Sequence, residues 1–305
     1  MTKDVGSSAL FLGFLPVSRG LLPLLDFAVK RLQICTGPTG HQLVSPNYRG
    51  HMTIRNHLPL TIMLWMLASS VPGPAQEHQS EHTWNYSGAQ GPDHWGDLKP
   101  EFATCKTGHN QSPIDIRDTH KADLPPIQFD YKPSPLHIID NGHTIMINYG
   151  PGSYISVGGK TYQLKQFHFH RPSEEKIHGE GYDMVAHLVH ADEEGNLAVV
   201  AILLQKGEAN PLIQKLWDDL PKEEEKEQLL DSVKINVADL LPADHSYYTF
   251  PGSLTTPPCS ENVTWFVLKR PVTASAAEIA QFERLYPNNA RPTQAQHDRA
   301  VLESK

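Results

Sequence analysis

The chain is short of the features that mark several protein classes. Cysteine occurs three times in 305 residues, at Cys35, Cys105 and Cys259. Basic side chains are outnumbered, 26 Lys and Arg against 34 Asp and Glu, for a formal net charge of −8. That balance, with no basic stripe, argues against a nucleic-acid partner. A transmembrane helix needs about 20 apolar residues. The apolar run Leu58 to Ala68, broken by Pro59 and Thr61, falls short of that. There is no internal repeat, no extended low-complexity run, and none of the clustered His, Asp or Cys tracts a metal-storage protein would use. With 39% hydrophobic residues the composition fits a soluble globular enzyme. Length alone would allow two domains, but β-rich folds often run to about 200–250 residues as one.

Histidine, by contrast, is abundant, with 17 copies. The densest stretch is Gln166-Phe167-His168-Phe169-His170, followed by Ala186-His187-Leu188-Val189-His190. Side chains alternate along a strand, so Gln166, His168 and His170 share one face while Phe167 and Phe169 share the other. In the second segment His187 and Val189 share a face, opposite Leu188 and His190. An isolated H-x-H is more often packing or surface than a ligand pair. Two strands with polar His/Gln faces and Phe/Leu faces behind them are hard to explain by packing alone. Three neutral imidazoles with an open fourth position form the catalytic zinc arrangement, in which the metal acidifies a bound water. His190 reads as a core histidine and His178 as a loop residue.

Segments rich in β-branched and aromatic residues predict strands at Ile127 to Tyr131, Thr144 to Tyr149, Thr161 to His170, Met184 to His190, Leu197 to Leu204 and Val263 to Leu268. Asn210-Pro211 predicts the start of a helix running to Leu220. Ser275 with Glu278 forms a capping box for a second helix through Leu285. Glu223 to Leu230 reads as a charged surface segment. Periodicity alone gives a mixed, β-dominated fold.

Residues 1–51 carry no clear motif, and 52–75 read as a signal peptide. A basic stretch opens at Met52, the apolar run follows, and small residues and prolines continue through Ala75. Cleavage is expected near Ser70 or Ala75, with Met52 as the true start. A longer leader is the alternative, since Lys3 precedes an apolar run from Ala9 to Leu15. Export to the periplasm or the medium is expected, with no stable membrane anchor after cleavage.

Several blocks in fixed order resemble the α-class carbonic anhydrases. They are Trp84-Asn85-Tyr86-Ser87-Gly88 with Gly91-Pro92-Asp93-His94-Trp95-Gly96, Asn110 to Ile116, Asn141-Gly142-His143, the QFHFH and HLVH segments, Gly252 to Cys259, and Val263-Thr264-Trp265. The short Pro172-Ser173-Glu174 loop and the Cys105/Cys259 pair resemble the bacterial branch. The resemblance implies a catalytic domain over 76–305: β-dominated α+β, a single domain with a central, mostly antiparallel twisted sheet of about ten strands and short peripheral helices. It implies Zn2+ on His168, His170 and His187, and attack of zinc hydroxide on carbon dioxide to give bicarbonate. Thr255 matches the residue that accepts the hydroxide's proton, and Glu174 the carboxylate that takes the proton of Thr255. Taken alone, Thr255 is an ordinary loop threonine, and Glu174 beside Glu175 a solvated loop acid. Val189, Val199, Leu254, Thr256 and Trp265 match the substrate pocket, His143 the proton shuttle, and Gln166 the support of His168.

Two positions depart from the family pattern. Val185 stands where the family commonly has a glutamate, two residues before the third ligand. This removes a charged partner of His187 or hands its role to another group. Met146 stands where a polar pocket residue is usual. With Cys35 in the leader, the resemblance and the secretory signal imply a bridge between Cys105 and Cys259; two buried free thiols are the alternative. The expected partner is small, CO2 or bicarbonate, and a homodimer is open. The rival readings are a weak zinc esterase and a non-catalytic carbonic-anhydrase-like binding domain. Such silent relatives typically lose a zinc histidine, and all three are present here.

Overall fold

The computed structural model of the chain describes residues 83–305. The expected leader, signal peptide and cleavage site, and Cys35, lie outside the described residues. In chain order the described strands are β1 (Asp115–Ile116), β2 (Thr119–Ala122), β3 (Gln128–Asp130), β4 (Ser134–Asp140), β5 (Ile145–Asn148), β6 (Tyr154–Val157), β7 (Lys160–His170), β8 (Lys176–Ile177), β9 (Met184–Ala191), β10 (Leu197–Lys206), β11 (Gln228–Ile235), β12 (Tyr247–Ser253), β13 (Glu261–Leu268), β14 (Val272–Ala274) and β15 (Val301–Ser304). Four α-helices accompany them: α1 (Trp95–Leu98), α2 (Thr104–Thr107), α3 (Pro211–Asp218) and α4 (Ala276–Leu285).

Thirteen strands make one sheet, whose main path runs β11-β4-β5-β7-β9-β10-β13-β12-β15-β2. The path therefore holds ten strands, as the resemblance implies, with β3, β6 and β14 paired off it. Pairing is mostly antiparallel; β10 with β13 and with β14, and β15 with β2, are parallel. At the centre lies β10, whose run from Ala198 to Leu204 is buried throughout. Such an unbroken apolar run is what a strand covered on both faces requires.

One face of the sheet packs on the larger core, which holds Phe167, Phe169, Leu188, Trp217 and Phe282. The helices covering it begin where the sequence predicts. Asn210 Oδ1 accepts hydrogen bonds from Leu212 N at 3.0 Å and Ile213 N at 3.2 Å, capping α3. The capping box of Ser275 and Glu278 opens α4. α3 ends at Asp218 rather than Leu220. The other face carries a smaller core with Val185, Val199, Ala201, Leu203 and Trp265.

The charged-surface reading of Glu223 to Leu230 holds only in part, because Gln228 to Leu230 open the edge strand β11. Leu230 and Val233 pack against the larger core, and that burial draws the segment onto β4. The strands β4 and β12 are not anticipated either. Pro135 and Pro251 lie inside them and interrupt the strand pattern.

Candidate metal centre

The histidine pair is aimed by an irregularity in β7. Tyr162 and Leu164 face the larger core, and so do Phe167 and Phe169. The inward parity therefore changes from even to odd positions. It changes at a bulge: Leu164 pairs with His190, and the next partner of β9, Val189, pairs with Gln166. One extra residue reverses every later side chain. Beyond it, Gln166, His168 and His170 turn away from the larger core.

Register then does the rest. His168 lies directly opposite His187 across β7 and β9. One nitrogen from each of His168, His170 and His187 lies within 4.8 Å of the others. The second nitrogen of each ring is turned away to an oxygen. His168 Nδ1 meets Gln166 Oε1 at 2.8 Å, and His170 Nδ1 meets Asn289 O at 2.7 Å. His187 Nε2 meets Glu175 Oε1 at 3.0 Å and Oε2 at 3.2 Å. An amide carbonyl, a backbone carbonyl and a carboxylate can only accept, so each of these nitrogens carries the hydrogen. The bare lone pairs are left on His168 Nε2, His170 Nε2 and His187 Nδ1, facing one another. His170 Nε2 is buried with no hydrogen-bond partner. A buried orphan nitrogen beside two further imidazole lone pairs fits a cation that prefers nitrogen ligands, of which zinc is the common case.

Electrostatics favour that use at two of the three rings. Burial, with His187 nearby, pulls His168 down to about 3. Burial also holds His170 well below its ordinary value. Both are neutral near pH 7, as ligation requires. For His187 burial acts in the same downward direction, but the charges of Glu175 and Glu174 outweigh it and its pKa is raised.

Glu174 and Glu175 are not solvated loop acids. They are 1% and 0% exposed. Glu174 Oε1 accepts a hydrogen bond from Arg291 N at 2.8 Å. Its Oε2 lies 3.5 Å from His170 Nε2 and 3.7 Å from His187 Nδ1. Burial raises Glu174 to about 7, and the Thr255 hydroxyl acts against that rise as a hydrogen-bond donor. Thr255 is itself buried. Thr256 O accepts from Cys259 N at 2.8 Å, closing the turn that presents both threonines. Cys259 is bridged to Cys105, 154 residues away in sequence.

The apolar positions form a row beside the triad. Val189 pairs with Val199, and Val199 with Trp265, across β9, β10 and β13. Leu254 packs against the same cluster. The Trp265 ring meets His187 edge-on at 4.9 Å. Met146 lies opposite His168 on the other side of β7. His143 occupies the turn between β4 and β5, stacked on Trp84 with ring centroids 3.7 Å apart. His190 sits on the opposite face, its Nε2 2.9 Å from the Tyr131 hydroxyl. His178 lies in a turn after β8, as a loop residue should.

Three residues of the site escape a reading of the sequence. Asn289 and Arg291 act through backbone atoms, which leave no side-chain signature. Asn289 further ties the turn bearing His143 to β7, since its Nδ2 donates to His143 O at 2.9 Å and Phe169 O at 3.0 Å. Glu175 had a signal, the missing carboxylate at Val185, but nothing in the sequence said where a replacement would stand.

Comparison with known proteins agrees with this geometry. The family model "Eukaryotic-type carbonic anhydrase" matches residues 90–305. The carbonic anhydrase of Nostoc sp. is 42% identical over 252 residues, covering 81% of this chain and 95% of that protein. The solved α-carbonic anhydrase of Thermovibrio ammonificans, in complex with the inhibitor sulfanilamide, superposes with a TM-score of 0.70 at 43% identity, covering 72% of this chain and 98% of that one. A hyperthermostable carbonic anhydrase from a hydrothermal vent chimney gives a TM-score of 0.71 at 47% identity, over 73% of this chain and all of that one.

Proposed function

The chain belongs to the eukaryotic-type, or α-class, carbonic anhydrase family, and on that premise we propose how its own residues hydrate carbon dioxide reversibly to bicarbonate and a proton. The family is zinc-dependent, and here His168 Nε2, His170 Nε2 and His187 Nδ1 would hold the ion. Zinc, when bound, supplies the acidity that lowers the pKa of water to about 7, a value whose reference case is carbonic anhydrase itself. Glu174, accepting from the Thr255 hydroxyl, fixes the direction of that O–H. The Thr255 oxygen is then free to accept a hydrogen bond from the nucleophile and so turn a lone pair of the nucleophile toward the substrate carbon. Val189, Val199, Leu254 and Trp265 give linear, apolar CO2 a dry wall, and Thr256 lines its polar side. His143 carries the product proton toward solvent, because an imidazole titrates near neutral pH.

The observation that carries this reading is the hydrogen-bond pattern of the three rings. Each is tied by one nitrogen to an oxygen behind it, and the other three nitrogens converge. A non-catalytic binding domain has no need of that convergence. The same chemistry admits esterase activity at this site without further residues. Replacing His187 by Ala should abolish hydration and sharply cut zinc occupancy, measured together on folded protein. Retained zinc with near-native turnover would contradict the ligand assignment.

Export to the periplasm or the medium is part of the proposal. It is supported by the signal-like segment at 52–75 and by the bridged cysteines, since disulfides persist in oxidising compartments. No helix among the described residues is long and apolar enough to cross a membrane.

A further inference from the structure

The three ligand rings are not supported alike. His168 and His170 lean on neutral oxygens, an amide and a backbone carbonyl. Only His187 leans on a carboxylate, and that carboxylate comes from the loop after β7 rather than from its own strand. Glu175 is fully buried, and among the described residues the hydrogen bonds of its carboxylate go to His187 Nε2 alone. Burying a carboxyl group is costly unless it is paired, and His187 Nε2 is the partner this one is given. The loop is built to hold it. Ser173 Oγ donates to Glu175 O at 2.9 Å and accepts from Tyr182 N at 2.8 Å, while Ser173 N donates to Tyr182 O at 3.0 Å. Lys176, the next residue, starts β8, which pairs with β1.

On β9 itself the position two residues before His187 is Val185. It shares the face of His187, is fully buried and pairs with His170. Two strand residues span about 7 Å, within the reach of a glutamate side chain, yet the position is apolar. Charge is absent from the strand and present on the loop.

We infer that Glu175 is a positioning residue for the third metal ligand: from the β7–β8 loop it fixes His187 with the hydrogen on Nε2 and delivers the negative charge that strand β9 lacks at Val185. An anionic acceptor behind an imidazole raises its basicity as a ligand, and losing such a partner commonly costs on the order of 10–100-fold in metal affinity. The neutral partners of His168 and His170 supply orientation without charge, so Glu175 contributes the larger share of this support.

This inference rests on the zinc reading above, and its test separates the two. Zinc affinity is measured by competition with a chromogenic chelator on the full chain, for the wild type, Glu175→Ala, Glu175→Gln and the double variant Glu175→Ala/Val185→Glu. Far-UV circular dichroism confirms that each is folded. Glu175→Ala should bind zinc on the order of 10–100-fold more weakly. Glu175→Gln, which keeps an acceptor but no charge, should lose less. The double variant, with the carboxylate moved onto the strand, should recover most of the affinity, which a purely structural role for the loop would not allow. Unchanged affinity in Glu175→Ala, or a loss that the moved carboxylate does not recover, overturns the inference and leaves the zinc reading standing. A wild type that binds no zinc overturns both.

Discussion

Each histidine of the triad is ordered by an oxygen it does not share with the other two. This is what makes the site a residue-scale construction. Gln166, Asn289 and Glu175 decide which nitrogen of each ring is bare, and the convergence of the bare nitrogens follows. The H-x-H spacing and the third histidine are legible in the sequence because a strand alternates. Glu174 is legible only through the family resemblance and Glu175 not at all, because two adjacent acids in a polar loop have no periodicity to show that both point inward. Roles at this scale are separable by kinetics. His143→Ala should slow turnover in weak buffer and leave CO2–bicarbonate interconversion at the metal nearly unchanged, with imidazole restoring much of the rate. Thr255→Ala should behave otherwise, since it removes an oriented hydrogen-bonding group. Such losses cost on the order of 100-fold, and imidazole should not repair this one. If His143→Ala shows no deficit in weak buffer, or one that imidazole leaves untouched, another group carries the proton.

At the scale of elements, the bulge at Lys165 decides which face of β7 carries the histidines. Before it, Tyr162 and Leu164 point to the larger core; after it, Phe167 and Phe169 do. The switch of apolar parity is written in the sequence, but an alternation read outward from QFHFH does not reveal it. The strands flanking the site, β7, β9, β10 and β13, are legible because their aromatic and β-branched runs are long. β4 and β12 are masked by their prolines, and β11 by the charged residues before it. Deleting Lys165 should restore a continuous alternation that cannot satisfy both ends of the strand. Either the histidines or the two phenylalanines then face the wrong way. Zinc binding should be lost together with several kcal/mol of stability, as when large core side chains lose their packing. Lys165→Ala keeps the residue count and should leave both intact. A deletion variant that binds zinc like the wild type would show that the bulge does not set the face.

For the whole molecule, the bridge from Cys105 to Cys259 is the longest covalent constraint among the described residues, closing a loop of 154 residues. It joins α2 to the turn bearing Thr255 and Thr256. The buried guanidinium of Arg291 extends the tie, donating to Cys105 O at 2.9 Å, Ser112 O at 2.8 Å and Gln111 Oε1 at 2.9 Å. In the chain-entropy model a loop of this length contributes about 5 kcal/mol, less any native strain. Replacing both cysteines by serine should lower the denaturation midpoint accordingly and loosen the Thr255 turn. Intact-mass analysis of the exported protein should show two alkylations only after reduction. Two reactive thiols in the native protein would contradict the bridge. The overall fold was legible mainly through the ordered blocks resembling a known family. Periodicity alone reached no further than a β-dominated chain, because a twisted sheet of many short strands spreads its signal thinly.

The central claim is that one zinc ion on His168, His170 and His187 makes this chain a carbonic anhydrase. It is tested most directly by stripping the purified protein with a chelator and returning Zn2+ in steps. Bound zinc and CO2 hydration are followed in the same samples. Activity should be absent from the stripped protein, rise in proportion to bound zinc, and stop rising at one equivalent. Hydration that survives complete removal of metal, or that stays absent at one bound equivalent, would contradict the account.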